Sequence, residues 1–215
     1  MHLAGTSGNF AAAVDERPIY VDLDDVLCET ARGFLTLLER EFGRRVAFED
    51  IRDFDLSVSF GLGPADLERL FVLAHEHELL AELPPIPDSI ETLGGWVEAG
   101  HQVAVVTGRP SRTLEDSRRW LARHRVPHHS LTFVDKYGRA EIDGDEDLVP
   151  LEALAARSFR FAVEDSLEMA RYLRDTVEIP VFLLDRPWNR GAGDGIVRCT
   201  GWSDVRRLSA ELDGS

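Results

Sequence analysis

Residues 18–27, PIYVDLDDVL, constrain the fold more than any other stretch of this chain. Ile19, Tyr20 and Val21 form a short apolar run of β-branched and aromatic residues, preceded by Pro18. Such a run predicts a buried strand. It stops at Asp22 and Asp24, so two carboxylates stand where the strand ends and the chain turns. In an open α/β sheet, that end of a strand is where ligands bind. Two carboxylates facing one site can hold a hard cation, or divide the work of nucleophile and acid–base.

Further strands are expected at His101 to Thr107, Leu131 to Val134, Phe159 to Val163 and Val181 to Leu184. Between and after them come helical patterns at 88–100, 112–125, 150–157 and 166–175, and residues 197–200 and 205–212 close the chain. Asp88 with Glu91 resembles a capping box, and Gly100 ends that helix. The alternation predicts an α/β fold, a Rossmann-like parallel sheet with helices on both faces. Residues 28–86 break the rhythm. Phe34, Leu35, Leu37, Leu38 and Phe42 have helical spacing, residues 47–63 are irregular, and a second helix is expected over 64–83 with Pro64 in its first turn. The expected organisation is a loose N-terminal extension (1–17), a catalytic core (18–27 and 87–215) and a helical cap (28–86). Residues 137–149 are acidic and read as a solvated loop.

The formal charge of −15 over 215 residues opposes binding of a nucleic-acid polymer or an anionic membrane. A small phosphorylated substrate remains compatible, because a bound cation can reverse the local sign. No apolar stretch approaches the roughly 20 residues that span a bilayer, and the first seventeen residues do not read as a signal peptide. Cys28 and Cys199 are the only cysteines. They form no disulfide framework, which points to a reducing, cytoplasmic setting. The expected assembly is a monomer or a homodimer, a choice the sequence leaves open. Cys28 has no neighbouring His and reads as a buried filler.

Four strand ends carry polar residues: Asp22 and Asp24; Thr107, Gly108 and Arg109; Lys136; and Glu164 with Asp165. In a parallel sheet these ends converge on one edge. One carboxylate can attack phosphorus, and a second, protonated, can donate to the leaving oxygen and then take a proton from water. The Thr107 hydroxyl and the amides near Gly108 can hold phosphoryl oxygens. Asp165, with Glu164 beside it, can complete an oxygen-rich shell for Mg²⁺. Lys136 is the only lysine among 24 basic residues; the other 23 are arginine. Where the two are interchangeable, a drift towards arginine replaces lysine, so the survivor marks a place that requires a compact ammonium. Arg109 reads equally as a contact to phosphate or substrate or as a surface salt bridge. Phe34, Phe54 and Phe60 could line a base-stacking pocket or simply pack the cap. Trp188, Asn189 and Arg190 follow a strand end and either border the site or form a structural turn.

Order and residue types resemble the haloacid dehalogenase (HAD) superfamily of phosphotransferases over about residues 18–185. The resemblance implies Asp22 as nucleophile, Asp24 as acid–base, Thr107 and Lys136 as phosphate contacts, and Asp165 as a metal ligand alongside Asp22 and Asp24. Many members have Gly after the second Asp, where this chain has Asp25, a residue that tolerates left-handed backbone better than most. VFLLDRPWNR and VRCTGWSDV, with the position of the insertion, are similar to the cytosolic 5′(3′)-deoxyribonucleotidases of type C. That resemblance implies Mg²⁺-dependent removal of phosphate from a small monoester, a deoxynucleotide or alternatively a sugar or amino-acid phosphate. A dehalogenase would not need Asp24, because halide leaves without a proton. A phospho-accepting receiver domain would carry its acceptor on a later strand and no helical insertion after the first.

Overall fold

The computed structural model describes residues 15–53, 56–75, 77–138, 144–191 and 193–212. Seven parallel strands form one sheet in the order β4-β3-β2-β1-β5-β6-β7. They are β1 (Ile19–Asp22), β2 (Val103–Thr107), β3 (Ser130–Asp135), β4 (Val149–Pro150), β5 (Ala162–Glu164), β6 (Val181–Leu184) and β7 (Ile196–Cys199). Strands β1, β2, β5 and β6 are buried at every position. That is why they read as unbroken apolar runs and not as alternating ones.

Strand alternation still sorts the core. Ile19, Val21, Val103 and Val105 face one side and pack with Trp96, Trp120 and Trp202. Those indoles come from α5 (Ser89–Glu98), α6 (Leu114–Arg123) and the C-terminal helix α8 (Trp202–Glu211). Tyr20, Ala104 and Val106 face the other side and pack with Met169, Ala170 and Leu173 of α7 (Leu167–Asp175). Each buried indole N–H is used, as burial requires. Trp202 Nε1 donates to the Val26 carbonyl (2.8 Å), and Trp120 Nε1 to the Leu83 carbonyl (2.7 Å). The first pins the turn after β1; the second pins the exit of the helical insertion.

Between β1 and α5 lie α1 (Thr30–Phe42), α2 (Leu56–Phe60), α3 (Pro64–Ala74) and α4 (His77–Glu82). They gather their own apolar cluster, which includes Phe34, Leu37, Leu38, Ile51, Phe60 and Leu70. Four local expectations fail. Leu56–Phe60, inside the stretch expected to be irregular, is the short helix α2. The helix expected over 64–83 is broken after Ala74, where the His75 ring turns back onto the Phe71 carbonyl (2.7 Å). The helix expected over 150–157 is a single 3₁₀ turn, Leu151–Leu154, behind the short strand β4. Asp88 is not a side-chain cap: it sits at φ +65°, and only its carbonyl is engaged by Thr92 Oγ1 (2.8 Å).

Candidate active site

Parallel register brings the predicted strand ends together. Val21 lies beside Val105 on one side and Val163 on the other. Asp22 therefore ends its strand between the Val106–Thr107 end of β2 and Glu164 of β5. At Asp25 the chain turns through a left-handed backbone, φ +54°, the conformation that Asp tolerates. The Asp25 carboxylate accepts the Ala31 amide (3.0 and 3.1 Å) at the start of α1.

Lys136 is the centre of the site. Its side chain is 1% exposed, and its ammonium binds Asp22 Oδ1 and Glu164 Oε1 (2.7 Å). It also lies over the Tyr20 ring at 5.3 Å from the centroid. Asp22, Glu164 and Asp165 offer oxygens that all lie within 4.8 Å of one another. Burial drives the Asp22 carboxyl well above the usual range; Lys136 opposes the rise, while Glu164, Asp165 and Asp24 add to it. Asp165 is likewise pushed up by burial and by Glu164 and Asp25. Three buried acids around one ammonium make an oxygen-rich site whose ionised form calls for more positive charge than Lys136 brings. A hard divalent cation fits that donor set.

Glu164 is fully committed to protein partners. Oε1 accepts from Lys136 and from the Tyr20 hydroxyl (2.9 Å), and Oε2 accepts the amides of Asp165 (3.0 Å) and Ser166 (3.1 Å). It fixes the ammonium and the turn that carries Asp165 at the same time. Ser166 then caps α7, its Oγ accepting the Met169 amide.

The Asp24 carboxylate stands outside the acidic cluster, because other groups hold it. Arg109 makes a forked pair with it, Nε at 3.0 and 3.1 Å and Nη2 at 2.7 Å. Thr30 Oγ1 (2.6 Å) and Thr107 Oγ1 (3.2 Å) also donate to it. Burial alone would raise Asp24, but the Arg109 charge and these hydrogen bonds outweigh it and hold the carboxyl below its usual value. Arg109 is thus a buried partner of Asp24, steadied further by Ser117 Oγ (3.1 Å) and Cys28 Sγ (3.3 Å). Gly108 lets the Lys136–Tyr137 turn approach β2: a Cβ there would stand 2.7 Å from the Tyr137 ring and 3.3 Å from Lys136 Cδ.

Phe34 and Phe60 lie in the apolar cluster of the insertion, Phe34 edge-on to Phe71. Phe54 lies outside the described residues. Tyr20 is not singled out by residue type, but it stands two residues before Asp22 on the same strand face, and that position is its signal in the sequence. His75, from the insertion, interacts electrostatically with Asp24 and Arg109, and nothing in its sequence neighbourhood signals that placement.

A parallel sheet in this order, with acids ending the adjacent strands β1 and β5 and the Lys136 ammonium between them, is a HAD-type fold. Solved structures agree on the fold. A HAD family hydrolase from Deinococcus radiodurans superposes with a TM-score of 0.61 at 18% identity, over 92% of this chain and 96% of that one. CbbY from Rhodobacter sphaeroides gives 0.56 at 15% identity, over 89% and 96%. The family model described as "5′ nucleotidase, deoxy (Pyrimidine), cytosolic type C protein" matches residues 17–211, and the chain belongs to that family. It is 25% identical, over 86% of its length and 89% of the relative's, to a Halalkalibacterium halodurans protein named "Putative nucleotidase BH1399". Among the described residues, no helix is long and apolar enough to cross a membrane.

Proposed function

We propose that this phosphatase is a Mg²⁺-dependent phosphomonoester hydrolase that works through an aspartyl phosphate on Asp22 and acts on (deoxy)nucleoside 5′-monophosphates. The observation that carries the chemistry is Asp22 bound to the sole lysine, within one cluster with Glu164 and Asp165. The nucleotide substrate rests on family membership and on the names of the relatives.

In the first half-reaction an Asp22 oxygen attacks phosphorus, the bond from phosphorus to the ester oxygen breaks, and Asp24 gives that oxygen a proton. In the second, water attacks the same phosphorus while Asp24 takes its proton; the bond to Asp22 breaks and inorganic phosphate leaves. Arg109 favours the carboxylate form of Asp24, the form the second half needs. The negative charge of a bound substrate favours the protonated form, which the first half needs. Lys136 steadies Asp22 and faces the transferring oxygens; the backbone near Gly108 supplies donors to them, and the Thr107 hydroxyl joins it by turning from Asp24 to the phosphoryl group. Asp22 and Asp165, with Glu164 behind them, would hold Mg²⁺, which supplies charge neutralisation for the phosphoryl group. The two cysteines are free and buried, which suits a reducing cytoplasm.

A panel of phosphate monoesters assayed with Mg²⁺ and with a chelator tests this reading. Deoxynucleoside monophosphates should release phosphate with Mg²⁺ and not with the chelator, and Asp22→Asn should release none. Undiminished release by that variant would overturn the chemistry. Turnover of sugar or amino-acid phosphates, with every nucleotide inert, would overturn the substrate.

A further inference from the structure

The turn after β6 touches three parts of the molecule at once. Arg186 Nε and Nη2 donate to the Asp25 carbonyl (3.1 and 2.6 Å), in the loop that carries the two catalytic acids. Asn189 is 1% exposed; its Nδ2 donates to the carbonyls of Asp165 and Leu184 (both 2.7 Å), and its Oδ1 accepts the Arg186 amide (3.1 Å). Trp188 lies between them, and its indole Nε1 donates to Asp165 Oδ2 at 2.9 Å. The Trp188 ring does not stay with the core. It meets Phe48 of the insertion edge-on, centroids 5.5 Å apart at 73°, and Arg32 of α1 lies over the far partner, 4.4 Å from the Phe48 centroid.

We infer that Trp188 is a positioning residue: its N–H fixes the Asp165 carboxylate for the divalent cation, and its ring ties that carboxylate to the helical insertion through Phe48. The inference rests on the metal reading above. The physical reason lies in how carboxylates are oriented. Rotation about χ2 of Asp165 is soft, and one oxygen held by an N–H leaves the other oxygen with a defined direction. Glu164 is fixed by four donors and Asp22 by Lys136, so the indole is the donor that performs this service for the third acid. The ring contact adds a second consequence. The insertion moves relative to the core only by separating Phe48 from Trp188 or by dragging Trp188 with it, and either event reaches Asp165. Packing of the insertion and affinity for the cation are therefore coupled.

Mn²⁺ binding to the full chain, followed by electron paramagnetic resonance with Mg²⁺ as competitor, reads this without turnover. Trp188→Phe removes the N–H and keeps a ring against Phe48; loss of such an outer contact weakens metal affinity by about tenfold or more. Phe48→Leu keeps the N–H and removes the edge-on contact, and should weaken Mn²⁺ by about threefold, the scale of one aromatic pair. Both variants should melt within a few degrees of wild type, and Asp165→Asn should bind least. Wild-type Mn²⁺ affinity in Trp188→Phe would overturn the positioning role. Unchanged affinity in Phe48→Leu would overturn the coupling to the insertion. If the unaltered protein bound no Mn²⁺, the metal reading itself would fall, and this inference with it.

Discussion

The Asp24–Arg109 pair should be measurable as a coupling energy of about 2 kcal/mol. Arg109 is 3% exposed and Asp24 28%, so the pair is buried on one side and wet on the other. A hydrogen bond to a charged group contributes about 1.5–3 kcal/mol; the pair is forked, which raises the sum, and the exposure of Asp24 lowers it. Arg109→Met, Asp24→Asn and the double variant complete a cycle, and urea unfolding in chelator at pH 7 supplies the four stabilities. Arg109→Met should lose about 2–3 kcal/mol, because it also vacates Ser117 and Cys28. With a urea slope of about 2 kcal/mol per molar, its midpoint falls by about 1–1.5 M. The coupling needs the carboxylate. Since folding lowers Asp24, its contribution is present above the unfolded value of about 3.9 and is lost as pH falls through the lower folded value. A coupling under about 0.5 kcal/mol at pH 7 would refute the view that Arg109 holds Asp24, and would return the arginine to a substrate role.

Two further outcomes are expected. Lys136→Met should cut phosphate release at least about 100-fold, and Lys136→Arg should not restore it, because a planar fork does not fit where one ammonium meets Asp22, Glu164 and the Tyr20 face; near-wild-type turnover by the arginine variant would contradict this. Asp25 is raised by burial to about 7, against the pull of the Ala31 amide. A carboxyl raised on folding contributes stability below its unfolded value and loses it as pH climbs to 7, so chelated protein should weaken from about pH 4 to 7. Asp25→Asn should flatten that decline in a melting series, and an unchanged slope would show that the charge of Asp25 is not its source.

The edge that carries the candidate site is legible in the sequence because parallel strands make it nearly one-dimensional. Each strand buried on both faces reads as an apolar run, and whatever polar residue ends the run must lie on the same rim. That logic places Asp22, Thr107, Lys136, Glu164 and Asp165 together. It does not place the pairings within the rim. Whether Arg109 reaches a substrate or Asp24 depends on a side-chain direction that spacing does not encode. Glu164 reads as a metal ligand or as a residue behind one, and only the structure shows that its four donors come from β1, from the turn after β3 and from its own following amides. The insertion was harder for a different reason. Short helices around a small cluster carry little periodicity, so the break after Ala74 and the short helix α2 follow packing and the His75 ring, not a pattern in the residues. Asp88 is the reverse case: the residue types of a capping box are present, but Asp88 sits in left-handed backbone and its side chain caps no amide.

The solitary lysine has a practical side. Because the chain holds one ε-amine and that amine lies between Asp22 and Glu164, lysine labelled with ¹⁵N at Nζ reduces the whole protein to a single resonance. That resonance sits at the Asp22 carboxylate. If the proposed mechanism holds, its shift should follow phosphate arriving, an acyl phosphate forming on Asp22 and the product departing, without assignment of any other residue.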